Sequence, residues 1–245
     1  MAHNKVVSTT LPLFLAIAAL LIILPSKGQV KDPPVKSQRR AFDENRYPIA
    51  DFLEGEPSDP GQRVRQRVRS EKYDKSLFHV NPNAPGDTTS VVDVVDPKLP
   101  AFPLTLSSLV VVGQIINARA HLSRDKSGVY SSFSVQVNEI LKNASKLSLT
   151  TGSVIEAERQ GGRVRFPSGR LHLFVVDRLD MPQIGLRYLL FLQNGVDDPT
   201  FQIVSGYELK DGKVSALDDL PNPKTYENAD EPTFLSQVRK LTPQP

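Results

Sequence analysis

Four arginines gather around a double glycine in the stretch Glu158 to Arg170, "ERQGGRVRFPSGR". No acidic residue lies between Arg159, Arg163, Arg165 and Arg170, and guanidinium forks match the oxygens of carboxylates, sulfates and phosphates. A phosphate cradle would need backbone N–H groups converging at a helix N-terminus after a strand, and no helical pattern follows Gly162. A β-hairpin fits better. Its glycines would reverse the chain, and Val164 and Phe166 alternate with Arg163 and Arg165, which sends the apolar pair inward and the arginines outward. That outward face is either a solvated strand face or a candidate partner-binding face, Arg159, Arg163, Arg165 and Arg170, suited to an acidic glycan or an acidic protein.

Other residues that could do chemistry are few. The chain holds no G-x-S-x-G, H-E-x-x-H, G-x-x-x-x-G-K-[ST] or G-x-G-x-x-G, so the common nucleophile, zinc and nucleotide signatures are missing. Of its 4 histidines, His3 lies in the N-terminal apolar region and His79 in a polar stretch. His121 and His172 fall in strand patterns and read as surface strand residues. A Ser-His-Asp arrangement would pair one of these two with Asp125, Asp177 or Asp180. The acidic pairs Asp197-Asp198 and Asp218-Asp219 stand beside turn formers and lack the repeated oxygen ligands of a calcium loop. Asn143-Ala144-Ser145 has the form of a glycosylation sequon. No catalytic, cofactor-binding or metal-ligating residue is assigned, and no cofactor is expected.

The elements that must position these residues begin with an export signal. Leu11 to Leu24 is an uninterrupted apolar run between Lys5 and Lys27. A helix of about 14 residues rises roughly 21 Å, short of the roughly 30 Å hydrocarbon core. Ser26 and Gly28 are small residues placed for cleavage before Gln29. Residues 1–28 therefore read as a signal peptide, and the location as periplasmic or extracellular, membrane-anchored if the signal stays uncleaved. Cleavage removes two lysines from a formal charge of +3 and leaves about +1, which argues against a nucleic-acid partner. With 0 cysteines, an exported chain must be stabilised by a packed core rather than by disulfides.

Residues 29–104 are rich in Pro, Asp, Arg and Ser and read as a mostly flexible, largely irregular linker region. Within it, Pro60 to Lys75, "PGQRVRQRVRSEKYDK", can form a short basic helix whose apolar stripe is only Val64 and Val68. "TTSVVDVVDPKLPAFP" reads as a short extended element followed by a Pro-rich connector. The character changes near Leu106. Leu109 to Leu122 suits a long strand with Gly113 at a bulge or close approach. Val129 to Lys142 alternates, with Phe133, Val135 and Val137 on one face. "SVIEAERQ", "RLHLFVVD", "RYLLFL", "TFQIVSGYEL" and "KVSAL" are further strands, the last two joined by Asp211-Gly212. Residues 105–217 thus predict a mainly β domain, a small antiparallel OB-like barrel. Residues 218–245 predict a C-terminal segment with a short helix capped by Asp230 and carrying Phe234, Val238 and Leu241 on one side. Tyr130, Phe166, Phe174, Tyr188 and Tyr207 read as core rather than as stacking platforms.

"LSSLVVVGQI", the hairpin into "FSVQVNEILKN", "TGSVIEAERQGG" and "GLRYLLFL" together resemble the order of elements in netrin-like domains, the OB-fold barrel of tissue inhibitors of metalloproteinases, and exported bacterial proteins of similar plan. The resemblance covers about residues 104–217 and implies architecture more than function. It departs from the inhibitors at a decisive place: those chelate the protease zinc with an N-terminal cysteine, and this chain has none. The expected function is an exported, non-enzymatic binding or interaction module. Two alternatives stay open: an enzyme or enzyme regulator with a site around His172 or His121, and a membrane-tethered structural protein that keeps Leu11–Leu24.

Overall fold

The computed structural model describes residues 43–76, 86–93, 95–195 and 198–242. The signal segment with Leu11–Leu24, His3, His79 and Asp197 lie outside the described residues. A 3-10 turn at Glu44–Arg46 leads into β1 (Ile49–Asp51), α1 (Pro60–Glu71) and β2 (Thr88–Val92). Then come β3 (Leu109–Leu122), β4 (Val129–Asn143), β5 (Val154–Gln160), β6 (Gly162–Arg165), β7 (Leu171–Val176), β8 (Arg187–Gly195), β9 (Asp198–Lys210) and β10 (Lys213–Ala216). Two helices, α2 (Pro221–Lys224) and α3 (Glu231–Leu241), complete the order.

The fold is mainly β. Strands β3, β4, β5, β9 and β8 form a ring in that order, with β8 pairing back to β3 and β10 added beside β9. Neighbours are antiparallel except β5 and β9, whose parallel contact is Ala157↔Phe201 and Glu158↔Gln202. The ring is therefore only loosely closed, an OB-like barrel. Alternation builds its interior: Val111 and Ile115 of β3, Phe133, Val135 and Val137 of β4, Ile155 and Ala157 of β5, and Tyr188, Leu190 and Leu192 of β8 pack in one buried cluster. The opposite faces of β3 and β8 are covered too, because Val110, Val112, Leu189 and Phe191 pack with Phe234, Leu235 and Val238 of α3. Strands covered on both sides read as continuous apolar runs, and "VVV" and "YLLFL" do.

At Gly113 the β3–β4 register shifts. A β-carbon there would lie 2.6 Å from Val135 Cγ1 and 2.9 Å from Gln136 O, so the position requires glycine for close approach as well as for a bulge. Asp211 and Gly212 take φ of 52° and 72°, the left-handed pair that a two-residue hairpin demands.

A second sheet has the order β1-β6-β7-β2. The two outer strands come from the segment read as mostly linker. β1 runs parallel to β6 from Ile49↔Arg163, and β2 runs parallel to β7 from Thr88↔His172. Ala50, Phe52 and Val92 join Val164, Phe166, Phe174 and Val176 in a third buried cluster with Ala120 and Val129. β2 falls in the stretch read as a short extended element, whereas β1 carries no such signal, because a short strand added to a sheet edge gains its burial from partners far along the chain. Between them, α1 follows Asp59, whose carboxylate accepts from Gln62 N–H at 2.6 Å. Asp230 caps α3 as expected, but Leu235 takes the inward place expected of Leu241, which is exposed.

Candidate functional site

The double glycine does not turn a hairpin. Gly161 and Gly162 have φ of 112° and 148° and carry the chain out of the barrel into the second sheet, where β6 pairs with β7 through the Pro167-Ser168-Gly169 turn. A β-carbon at Gly161 would meet Met181 Cε at 2.7 Å, and one at Gly162 would meet Val129 Cγ1 at 2.9 Å. Glycine is thus needed both for the backbone angle and for the space.

That switch separates the arginines. In β5 the odd positions Ile155 and Ala157 face the barrel interior, and Arg159 continues them. In β6 the even positions Gly162 and Val164 are buried. Arg159 and Arg165 share parity in the sequence but not a face. Arg159 is only 2% exposed and closes one end of the barrel: its Nη1 donates to Asp218 Oδ1 at 2.6 Å and to Asp180 O at 2.6 Å, and its Nη2 to Asp218 Oδ2 at 3.1 Å. A buried charge survives when paired in this bidentate manner. Arg163 is half-buried, with Nε donating to Tyr47 O at 2.8 Å. Arg170 is buried over the Phe166 ring, 4.5 Å from its centroid. Arg165 alone of the four is exposed, near Asp51 at 3.7 Å. The four do not form one outward face.

The histidines also differ from their sequence reading. His172 is 4% exposed because β2 covers its strand. Its Nε2 lies 2.8 Å from Ser90 Oγ and its ring stacks on Phe174 at 4.2 Å. Burial, then the charge of Arg170, lowers its pKa. His121 is half-buried, with Nε2 2.8 Å from Ser132 Oγ and its ring stacked on Tyr130 at 5.1 Å. Burial, then the charges of Arg119 and Arg69, lowers its pKa to about 4, so the imidazole is neutral at pH 7. Neither contact includes Asp125, Asp177 or Asp180. Asp125 instead ties the β3–β4 loop to the residues after α1, accepting from Lys75 N–H at 2.8 Å, Ser127 N–H at 2.9 Å and the hydroxyls of Ser123 and Ser127.

What the sequence did not single out is a cleft of about 180 Å³ between α1, the loop that precedes it and the end of the β3–β4 hairpin. Arg63 and Arg67 of α1, Arg124 and Lys126 of the hairpin, and Asp51, Glu54 and Glu56 bring both signs of charge to its walls, with His121 at its side. Glu56 accepts from Arg67 Nη2 at 3.1 Å, and Arg119 pairs with Glu54. The signal was present as "QRVRQRVR", but only the fold brings that run against the hairpin.

Asp219 pairs with Lys224 and Asp218 with Arg159, so this acidic pair serves the fold. Among the described residues no group of three or more His, Asp or Glu side chains is gathered to hold a metal ion. Asn143 is exposed at the end of β4, its amide donating to Leu147 O at 3.1 Å. In comparisons with known proteins, no family model matches the chain, and no curated protein or solved structure shows significant similarity to it.

Proposed function

We propose that the chain is an exported binding module of the cell envelope or extracellular space, acting without catalysis on a barrel of netrin-like plan. The observation that carries the reading is the cleft under α1, where Arg63, Arg67, Arg124 and Lys126 converge from two elements. Guanidinium groups on a rigid hairpin and a capped helix suit the carboxylate or sulfate groups of an acidic glycan better than a bare point charge would. Because Arg63 and Arg67 pair with Glu56, and Arg124 with Glu71 and Asp74, the walls favour a ligand that also offers hydroxyls, which can accept from arginine and donate to carboxylate.

Titration with a uronate-containing or sulfated oligosaccharide tests this. Saturable binding that weakens with salt and falls at least about tenfold in the Arg63→Ala, Arg67→Ala double variant is expected. Binding that is absent, or equal in the double variant, removes the cleft from the reading. N-terminal sequencing of the exported chain tests the signal: a start at Gln29 supports export with cleavage, and retention of Leu11–Leu24 supports a membrane tether instead. Among the described residues no helix is long and apolar enough to cross a membrane.

A second reading, an enzyme or regulator using His121 or His172, is favoured by the 2.8 Å contact each imidazole makes with a serine Oγ. Of the two, His121 borders the cleft. Labelling of Ser132 or Ser90 by a fluorophosphonate probe would support hydrolysis there; a folded chain that stays unlabelled rejects it.

A further inference from the structure

Glu158 occupies an even position of β5, on the face that points away from the barrel interior, yet its side chain is 0% exposed. What covers it is the segment just after α1. Lys72 Nζ donates to Glu158 Oε1 at 3.0 Å. The Tyr73 ring lies on the Tyr130 ring of β4, 4.3 Å between centroids and 10° from parallel. Gln202 of β9 donates through Nε2 to the Tyr73 hydroxyl at 2.9 Å and to Glu158 Oε1 at 2.5 Å.

Two consecutive side chains, a cation and a ring, thus meet three groups that the sheet holds rigidly. Glu158 and Gln202 are register partners across β5 and β9, and Tyr130 lies opposite Gln160, two residues along from the Ser132↔Glu158 pair of β4 and β5. On this outward face of the second and third barrel strands lies part of the chain itself. Beyond the Lys72 and Tyr73 contacts the covering segment is held by polar groups: α1 buries only Ser70, while Arg124 pairs with Glu71 and Asp74, Asp125 N–H donates to Asp74 at 2.9 Å, Lys75 N–H to Asp125 at 2.8 Å and Ser76 N–H to Ser127 Oγ at 3.0 Å. A segment fixed by two recognised side chains and polar clamps can open while the barrel stays folded.

We propose that Tyr130, Glu158 and Gln202 form a recognition site for a peptide in which a basic side chain is followed by an aromatic one, and that Lys72-Tyr73 fills this site in cis. The carboxylate selects the cation, the Tyr130 ring selects the aromatic plane, and the Gln202 amide reads the hydroxyl. A partner peptide of the same chemistry must compete with the chain's own segment, so its apparent affinity is reduced by the fraction of molecules in which that segment is closed. The site is separate from the arginine-lined cleft and does not depend on it.

The test uses the full chain and a blocked, fluorescently labelled peptide with the sequence of Arg69 to Ser76, "RSEKYDKS". In the Lys72→Ala, Tyr73→Ala variant the site is open, and the peptide is expected to bind saturably and at least about tenfold more tightly than to the unaltered chain. A peptide with alanine at both of those positions is expected not to bind. Equal binding to variant and unaltered chain, or none to a variant with native circular dichroism, overturns the proposal. Should the double variant fail to fold, Tyr73→Leu keeps apolar cover over Tyr130 while removing the ring and its hydroxyl. The peptide is then expected to bind it several-fold more tightly than the unaltered chain, and no gain overturns the proposal. Lys72 directly follows α1, which carries Arg63 and Arg67, so opening the segment is also expected to weaken oligosaccharide binding in the cleft, and only the gain in peptide binding reads the second site.

Discussion

Two helices of nearly equal length, α1 with 12 residues and α3 with 11, begin in the same way. Each follows an aspartate whose carboxylate accepts from the N–H three residues on, Gln62 at 2.6 Å for Asp59 and Thr233 at 3.2 Å for Asp230. Each has a proline in its first turn. Beyond the cap they diverge. α3 buries Phe234, Leu235 and Val238, with the Phe234 ring 4.8 Å from that of Tyr207. α1 buries only Ser70 and leaves Val64 and Val68 64% and 44% exposed. The side it turns toward the body carries Arg63, Gln66 and Arg69. Capping decides where a helix starts, and the face it presents decides how firmly it is attached. Burial of a large apolar side chain contributes about 1.5–3 kcal/mol, whereas an exposed ion pair such as Arg67–Glu56 contributes about 0–1 kcal/mol. On these terms α3 is expected to unfold with the core, and α1 to open locally.

The largest effect that separates them is expected at Phe234. Phe234→Ala removes the ring that joins α3 to Tyr207, Tyr226 and Phe102 and is expected to lower stability by about 3–5 kcal/mol. Urea unfolding followed by far-ultraviolet circular dichroism measures it. A loss under about 1 kcal/mol would show that α3 is no more firmly docked than α1.

Acid should strike the α1 side first. His121 borders the cleft beneath α1 and is held neutral by burial and by the charges of Arg119 and Arg69. Arg63, Arg67, Arg124 and Lys126 also face that cleft, against Asp51, Glu54 and Glu56. Its pKa falls from 6.5 to about 4 on folding, so the unfolded chain takes up this proton first. Stability is unaffected above pH 6.5 and is lost as pH falls from there toward about 4. The full loss, complete below about pH 4, is roughly 3–4 kcal/mol, of which roughly 2–3 kcal/mol has gone by about pH 4.5. Chemical denaturation at pH 7 and pH 4.5 should show His121→Gln losing less than the unaltered chain by about that amount. Equal losses would mean that the imidazole is not sheltered there.

How much of this could be read in advance follows from where each residue finds its partner. β3 was legible to the residue because Leu109 to Leu122 carries its own β-branched pattern, and β10 because Asp211-Gly212 can only turn. α3 was legible from Asp230 and its apolar spacing. The second sheet was legible in its strands β2, β6 and β7 but not in β1 or in the pairing, since the short outer strands gain their cover from β6 and β7, more than 80 residues away in the β2–β7 pair. The arginines of "ERQGGRVRFPSGR" misled for a related reason. Parity is a guide only within one strand, and Gly161-Gly162 changes both the sheet and the parity, which sends Arg159 to Asp218 and leaves Arg165 outside. The cleft was hidden because its walls come from "QRVRQRVR" and from a turn about 60 residues further on.

A smaller effect is expected at the shared feature, the cap. Asp59→Ala removes an interaction of about 1 kcal/mol. If α1 opens locally, the change should appear as faster hydrogen exchange of the amides of Arg63 to Arg69, with the global unfolding midpoint nearly unchanged. A midpoint shift carrying the whole loss would place α1 in the same cooperative unit as α3.

The smallest effect is expected where the two helices differ most in kind. Val64→Ser and Val68→Ser alter residues that in α3 would be core, yet here both face solvent, and serine and valine have similar helix propensities. Each change should alter stability by no more than about 0.5 kcal/mol in either direction. The measurement gains force when repeated over a hundredfold range of protein concentration. A loss that exceeds about 1 kcal/mol and grows with concentration would mean that the valines are covered in solution by another molecule of the chain. α1 would then be docked by apolar burial after all, on its outward side, and the contrast with α3 would lie in which molecule supplies the cover.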